Sequence, residues 1–583
     1  MTIAVTTMTA SAQNPIPEGY WSEARSNEIL AKTETIRLAP DLSRLTPLEQ
    51  AALKDLLEVG SIMQKLYEVS RHHEALTALD RLRVVDVSQG QPKRTQNLLQ
   101  LYRLFQGPIA STLDNQREPF LPVVAQVPGR NVYPLDATKE EIEAYLAAHP
   151  GMRDEILAER TVVRRATRNN LGTDVSTLQA FALIRLLHPG LLERLRGMMD
   201  AGGDPKSFYA VPYPVAYPDQ LVEAYNYLMR AASTVQASDA EFARYLRNRA
   251  RDLITNDYES GDASWVTGRF QRLNAQIGAY ETYDDALYGV KAFHGMSILL
   301  TDEKATADLR KALGGLQAIE DALPYENQKR VREDISIGVY DVIADFGQAR
   351  GTNTATILPN DALFSRRYGR TIMLRQNIMK HPDLFAADLR VWRAATADAH
   401  ANELLDEGNF QRTLWHEIGH YLGVDRDKQG RTLDIALEDY ADAVEEMKSD
   451  LVSLFALQRM NHPSLRAIQA SGIRRTLQNV KPRSDQPYQT MQLVQFNWFL
   501  DKGLIKADPG TGRLTIDYTK YPEAVNTLLK EVLNLQHQGD KAATAAFFQK
   551  WTAWGPTHEK LAERIRNAQG ARFRIVRYGA LNE

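Results

Sequence analysis

Cysteine is absent from this chain of 583 residues. That excludes a disulfide framework, a thiolate metal site and a cysteine nucleophile. Long apolar runs are missing as well, so no segment reads as a bilayer-spanning helix. Neither sign of charge dominates: 70 Lys and Arg stand against 73 Asp and Glu. A net charge of −3 gives no electrostatic footprint for nucleic acid or an anionic membrane surface. Phosphate loops are lacking too. The glycines of Asp508-Pro509-Gly510-Thr511-Gly512 precede no Gly-Lys-Ser/Thr and read as a turn between short strands. Residues 1–13 lack a basic start and an unbroken apolar run, so they read as a disordered leader rather than a signal peptide. The expected compartment is the cytoplasm, with the periplasm or the exterior as the alternative. What remains is an ordinary globular composition, 44% hydrophobic and 25% charged, long enough for several domains or a two-lobed enzyme.

Chemistry concentrates in His416-Glu417-Ile418-Gly419-His420. On a helix, positions i and i+4 share a face, so both imidazoles can reach one Zn²⁺. Glu417, beside the first histidine, is placed to take a proton from water rather than to bind the metal. Leu414, Ile418 and Leu422 supply the apolar stripe of that helix, and Gly423 its end. A third ligand must come from elsewhere. After a polar loop over 424–430, a second helix is expected over 437–460, carrying Glu445-Glu446-Met447-Lys448-Ser449-Asp450. Ala443, Glu446 and Asp450 share one face, while Val444, Met447 and Leu451 form a neighbouring apolar one. Glu446 would complete a His₂Glu set, and Asp450, one turn on, would hydrogen-bond the far ring nitrogen of a ligand histidine. Glu445 projects about 100° away from Glu446 and is expected to stay outside the metal set. The plain alternative is a solvated acidic helix face beside a core histidine; the two motifs together favour metal.

Elsewhere, Thr46-Pro47-Leu48-Glu49 is a helix start for the stretch 45–82. His72-His73 reads as part of an exposed face, and 120–132 as extended. Strands are expected over 335–346 and 370–377, with 351–361 between them as an irregular loop facing a cleft. Ile277-Gly278-Ala279-Tyr280-Glu281-Thr282-Tyr283-Asp284-Asp285 is a tyrosine-rich stretch; if extended, it projects Glu281 and Tyr283 from one face.

That last stretch, Leu358-Pro359-Asn360-Asp361, and the run from Glu445 to Asp450 are similar to three motifs of one family. The motifs are Ile-Gly-x-x-Glu-Ser-Tyr-x-Asp, Ile-Pro-Asn-Tyr-Asp and Glu-Glu-x-x-Ala-Glu. With the histidine motif, they make the chain resemble the dipeptidyl peptidase III family of zinc metallopeptidases, discontinuously from about 265 to 552. The resemblance implies one zinc ion on His416, His420 and Glu446, with Glu417 as general base and Asp450 behind the ligands. It implies Glu281 and Asn360 as holders of the substrate amine and Tyr283 as the transition-state tyrosine. The implied fold is α+β and predominantly helical, with two lobes around a wide cleft. One lobe is helical and bears zinc, and the other has a small β-barrel core with helices. Approximate limits are 1–301 for the barrel lobe, which also receives 341–386 and the C-terminal tail, and 302–583 for the zinc lobe, with its core at 387–564. Three departures stand out: the histidine motif is one residue shorter than in most of the family, the second asparagine position is Ile357, and a histidine and an arginine position fall on Thr490 and Val494. The function expected is release of dipeptides from free N-termini of short peptides, without nucleic-acid or membrane partners. Hydrolysis of a non-peptide amide or ester, or an inactive peptide-binding scaffold, are the alternatives.

Overall fold

Thr46-Pro47-Leu48-Glu49 opens helix α1 (Pro47–Arg71) through a reciprocal capping box. Thr46 Oγ1 accepts from the Glu49 amide, and Glu49 Oε2 accepts from the Thr46 amide. α1 buries Leu53, Leu56, Val59, Met63 and Leu66 and packs on the main sheet. The structure is a computed structural model that describes residues 16–331, 336–359, 362–477 and 487–583. The leader over 1–13 and Asn360 lie outside the described residues.

That sheet is a curled, five-stranded half-barrel rather than a closed barrel. Its strands are β1 (Leu273–Ala279), β2 (His294–Thr301), β3 (Ser336–Gly347), β4 (Ala355–Leu358) and β5 (Thr371–Arg375), in the order β1-β2-β3-β5-β4. β5 pairs parallel with β3 and antiparallel with β4. β1 and β5 are buried along their whole length, because layers cover both faces, and so they show no period-two alternation. The expected partnership of 335–346 with 370–377 is present as β3 and β5. The stretch 351–361 differs from expectation, since 355–358 forms the edge strand β4. Backbone groups beside β5 are satisfied by pairing, which outweighs an irregular composition.

The expected extension over 120–132 is not a strand; the nearest one is Arg117–Pro119. Pro122 and Pro128 have no amide hydrogen to give a ladder. His72 is buried at the end of α1 rather than exposed. Its Nε2 lies 3.0 Å from the Val124 carbonyl, and its Nδ1 accepts from the Glu74 amide.

With 57% helix, the chain is a helix-dominated α+β protein. A second set of elements comprises α2 (Asp406–Gly419), α3 (Ala441–Arg459), α4 (Leu465–Thr476), α5 (Pro487–Asp501) and α6 (Tyr521–Gln538). They enclose their own core, which includes Ile418, Val444, Met447, Leu451 and Leu528, whereas Ile277, Ile298, Ile343 and Met373 belong to a core around the half-barrel. α3 begins later than the expected 437, because Glu438 takes a positive φ of 49° and breaks the run. The strand Thr33–Leu38 pairs in parallel with Phe573–Tyr578, joining sequence-distant segments. No helix among the described residues is long and apolar enough to cross a membrane.

Candidate metal centre and substrate cleft

α2 lies unusually close to α3, and a glycine allows it. A Cβ on Gly419 would fall 2.9 Å from the Ser449 carbonyl oxygen and 3.0 Å from its Cα. Across this approach His416 Nε2 sits 3.2 Å from Glu446 Oε2, and His420 Nε2 sits 3.9 Å from Glu446 Oε1. One ligand atom from each of the three lies within 4.8 Å of the others. His416 is on the last turn of α2 and His420 is its C-cap residue, still in right-handed helical conformation, so the i, i+4 relation holds to the end.

The far ring nitrogens are both engaged. Asp450 Oδ1 is 2.8 Å from His416 Nδ1. A carboxylate only accepts, so Nδ1–H donates, which leaves Nε2, facing Glu446, as the nitrogen that would bind a metal. His420 Nδ1 is 3.0 Å from Glu445 Oε1 and 2.9 Å from Ser449 Oγ. Glu445 therefore stands directly behind a histidine of the set instead of facing away from the site. The 100° separation of Glu445 and Glu446 holds, but His420 at the end of α2 sits on the Glu445 side. Lys448 extends the network. Its Nζ is 2.8 Å from Glu445 Oε1 and donates to the Gly419 and Leu422 carbonyls at 2.7 and 2.8 Å. Gln536 donates to the other Glu445 oxygen at 3.0 Å. Ser449 and Lys448 carried no sequence signal beyond their neighbourhood to Glu446.

Electrostatics favour a cation here. Burial alone would depress His416, but Asp450, Glu446 and Glu417 outweigh it and raise it to about 9. Burial opposes the charges of Asp450 and Glu445, yet both are held well below the usual carboxylate range. Arg475, His416 and Arg412 do this for Asp450, and Lys448 and His420 for Glu445. Arg412 Nη1 lies 3.1 Å from Asp450 Oδ1, and burial lowers its guanidinium to about 10. A site that stabilises positive charge on an imidazole offers the same field to a metal ion. Two imidazole nitrogens and a carboxylate, open on one side to a cleft, form a donor set that fits Zn²⁺.

The cleft has a volume of about 1060 Å³ and is lined by His416, Glu417, His420 and Glu446 on one side. Glu281 and Tyr283 line it from the half-barrel. Glu281 follows the end of β1, its carbonyl accepting from the Phe293 amide at 3.1 Å. Tyr283 lies in the turn that follows, closed by the Asp285 amide on the Thr282 carbonyl at 3.0 Å. The stretch is thus not extended through both residues, though both reach the cleft. Asp285 fixes this turn by accepting from the Tyr133 hydroxyl at 2.7 Å and from the amides of Leu287, Tyr288, Val290 and Lys291. Asp284 accepts from Tyr67 Oη at 3.0 Å and Gln348 Nε2 at 2.8 Å. Tyr283 itself is 67% exposed and free to meet a ligand. Its phenol is held protonated by the cleft walls and by the carboxylates of Asp284 and Glu281.

Two solved structures share this arrangement of elements. One is dipeptidyl-peptidase III from Caldithrix abyssi, with TM-score 0.79, 23% identity, and 95% of this chain and 99% of that one covered. The other is dipeptidyl-peptidase III from Corallococcus sp. strain EGB, with TM-score 0.74, 23% identity, and 97% and 98% covered. The fold is that of dipeptidyl-peptidase III. No protein-family model matches the sequence. Among curated proteins, Nudix hydrolase 3 of Arabidopsis thaliana is 27% identical over 453 residues, covering 74% of this chain. The chain spans only 55% of that relative's length.

Within the dipeptidyl-peptidase III fold, the departures found in the sequence take distinct places. Ile357, on edge strand β4, lines the cleft. Val494 is fully buried in the helical core and faces no ligand. Thr490 is half-buried on α5.

Proposed function

We propose that this chain is a zinc-dependent dipeptidyl peptidase, releasing dipeptides from the free N-termini of short peptides. The observation that carries the reading is the cleft itself, where the His416, His420 and Glu446 donor set faces Glu281 and Tyr283 on a dipeptidyl-peptidase III fold. The two hydrophobic cores are read as two lobes with the cleft between them. The proposed limits are about 1–301, with 341–386 and the tail, and 302–583, although Ile372, Leu374 and Met379 join the second core.

Zinc would be held by His416, His420 and Glu446, and when bound it supplies a Lewis acid that polarises the scissile carbonyl and acidifies water. Glu417 takes a proton from the attacking water and returns it to the leaving amine. Tyr283 donates its hydroxyl to the oxygen that gains charge. Glu281 binds the substrate ammonium, a charge-assisted contact that sets the cleavage register from the N-terminus, and Asn360 supplements it. Edge strand β4, along the same wall, offers backbone groups to an extended peptide.

The test uses matched short peptides with free and acetylated N-termini. The free peptide should lose its first two residues and the blocked one should remain nearly intact; efficient internal cleavage of the blocked peptide would leave an endopeptidase instead. A chelator should abolish the activity and Zn²⁺ restore it. A second reading, hydrolysis of a non-peptide amide or ester, draws support from Ile357, an apolar side chain at a cleft position that the family resemblance gives to asparagine. It predicts turnover of small amides with no dependence on a free N-terminus.

A further inference from the structure

The floor of the cleft holds a charged group that the reaction above does not use. Arg375 closes β5, lines the cleft and is 1% exposed. Its Nη2 donates to Ser297 Oγ at 2.8 Å. Among the described residues, Nε and Nη1 are buried with no hydrogen-bond partner. Asp345, its electrostatic partner, is itself fully buried and also meets Ser297. On the cleft side, the charge of Arg375 is felt at the Tyr283 phenol. Gly278 and Gly295 line the cleft beside it.

A guanidinium does not give up its proton, so a buried one with idle N–H groups calls for acceptors. A single amide carbonyl satisfies one donor, whereas a carboxylate offers two oxygens and a matching charge. We propose that Arg375 makes the cleft floor a carboxylate subsite, selecting peptides with Asp or Glu among their first two residues. This rests on the dipeptidyl reading. A peptide beginning with an acidic residue would set its ammonium against Glu281 and its side chain against Arg375, two opposite charges met by two opposite charges.

The experiment compares zinc-loaded full-length protein on short peptides that differ only at the first or second residue, Glu against its neutral near-isostere Gln and against Lys. Wild type should cut the best Glu peptide with kcat/KM at least tenfold above the Gln peptide, and the Lys peptide more slowly still. Arg375→Met should bring the Glu-to-Gln ratio to about one, whatever it does to the Gln peptide, and Arg375→Lys should keep part of it. A wild-type ratio near one, or a high ratio retained in Arg375→Met, overturns the proposal. If Arg375→Met fails to fold, inhibition of wild type by Glu-Ala against Gln-Ala decides in its place, and equal inhibition overturns the subsite. Cleavage of the Gln peptide after its second residue upholds the dipeptidyl reading even where the subsite falls. Should no peptide be cut, calorimetric binding of Glu-Ala and Gln-Ala to wild type and Arg375→Met reads the subsite alone, and equal affinities overturn it.

Discussion

Glu445 and Glu446 are chain neighbours that meet different histidine nitrogens, one behind the metal set and one within it. On the proposed zinc reading, removing Glu446 takes away a ligand, so Glu446→Ala should leave the protein without stoichiometric zinc. Removing Glu445 leaves the ligands but loosens the orientation of His420, so Glu445→Ala should retain zinc with affinity weakened about 10–100-fold. Competition with a chromogenic chelator separates the two, and equal zinc content in both variants would remove Glu446 from the set. Glu417→Gln should keep about one zinc per chain and lose most of its turnover, since the base acts on water without ligating. His416 adds a pH signature. Its folded value of about 9 lies above the 6.5 of a free imidazole. In metal-free protein its contribution to stability is therefore full below about pH 6.5 and is lost as pH rises through 9. The melting temperature of the chelated protein should fall across that window. Zinc loading should flatten the slope, because the metal takes the place of the proton.

At the scale of elements, α2 ends at Gly419 with His420 as its cap, and α3 packs against it. Lys448 on α3 caps the Gly419 and Leu422 carbonyls while holding Glu445 against His420. Lys448→Met would leave buried acceptors unpaired, at a cost of about 1–3 kcal/mol. It should lower both the melting temperature and zinc affinity, and Lys448→Arg should recover part of each if the interaction is electrostatic. On the other wall, the turn that carries Tyr283 is fixed by Asp284 and Asp285 rather than by the sheet. Tyr283→Phe leaves that scaffold intact. It should keep zinc and substrate affinity and lose roughly 10²–10³ in kcat, the usual effect of one oxyanion donor. A loss confined to KM would make Tyr283 a binding residue.

For the whole molecule, segments far apart in sequence meet in a two-stranded sheet separate from the half-barrel. Residues 573–578 pair with 33–38, Tyr578 is buried and donates to Asp345 at 3.3 Å, and the charge of Arg375 is felt at Asp345. Deleting residues 573–583 would expose the strand Thr33–Leu38 and leave Asp345 with one hydrogen-bond donor fewer. It should cost several degrees of melting temperature and disturb the half-barrel wall of the cleft. On the proposed zinc reading, the set of His416, His420 and Glu446, carried by helices of the other core, should still bind metal. Zinc titration of the truncated chain measures this, and its loss would mean that the two cores do not fold independently enough for the site to survive.

Much of the geometry of the candidate metal site was legible in the sequence because helical geometry is local. Spacing alone puts His416 and His420 on one face, and Glu446 and Asp450 on another, and a capping box fixes the start of α1 wherever the helix lies. Burial and pairing are not local. Edge strand β4 forms because β5 lies beside it, and His72 is buried because the chain near Val124 crosses the end of α1. Glu445 reaches His420 only through the angle at which α2 meets α3, which Gly419 permits and no spacing rule contains. Arg375 carries no motif at all; the sheet puts it under the cleft. The sequence by itself determined which side chains could hold a metal, since ligand chemistry and helical periodicity are properties of short segments. Only the tertiary structure decided what stands behind those ligands and what faces them across the cleft, since contacts between distant segments depend on how whole elements pack.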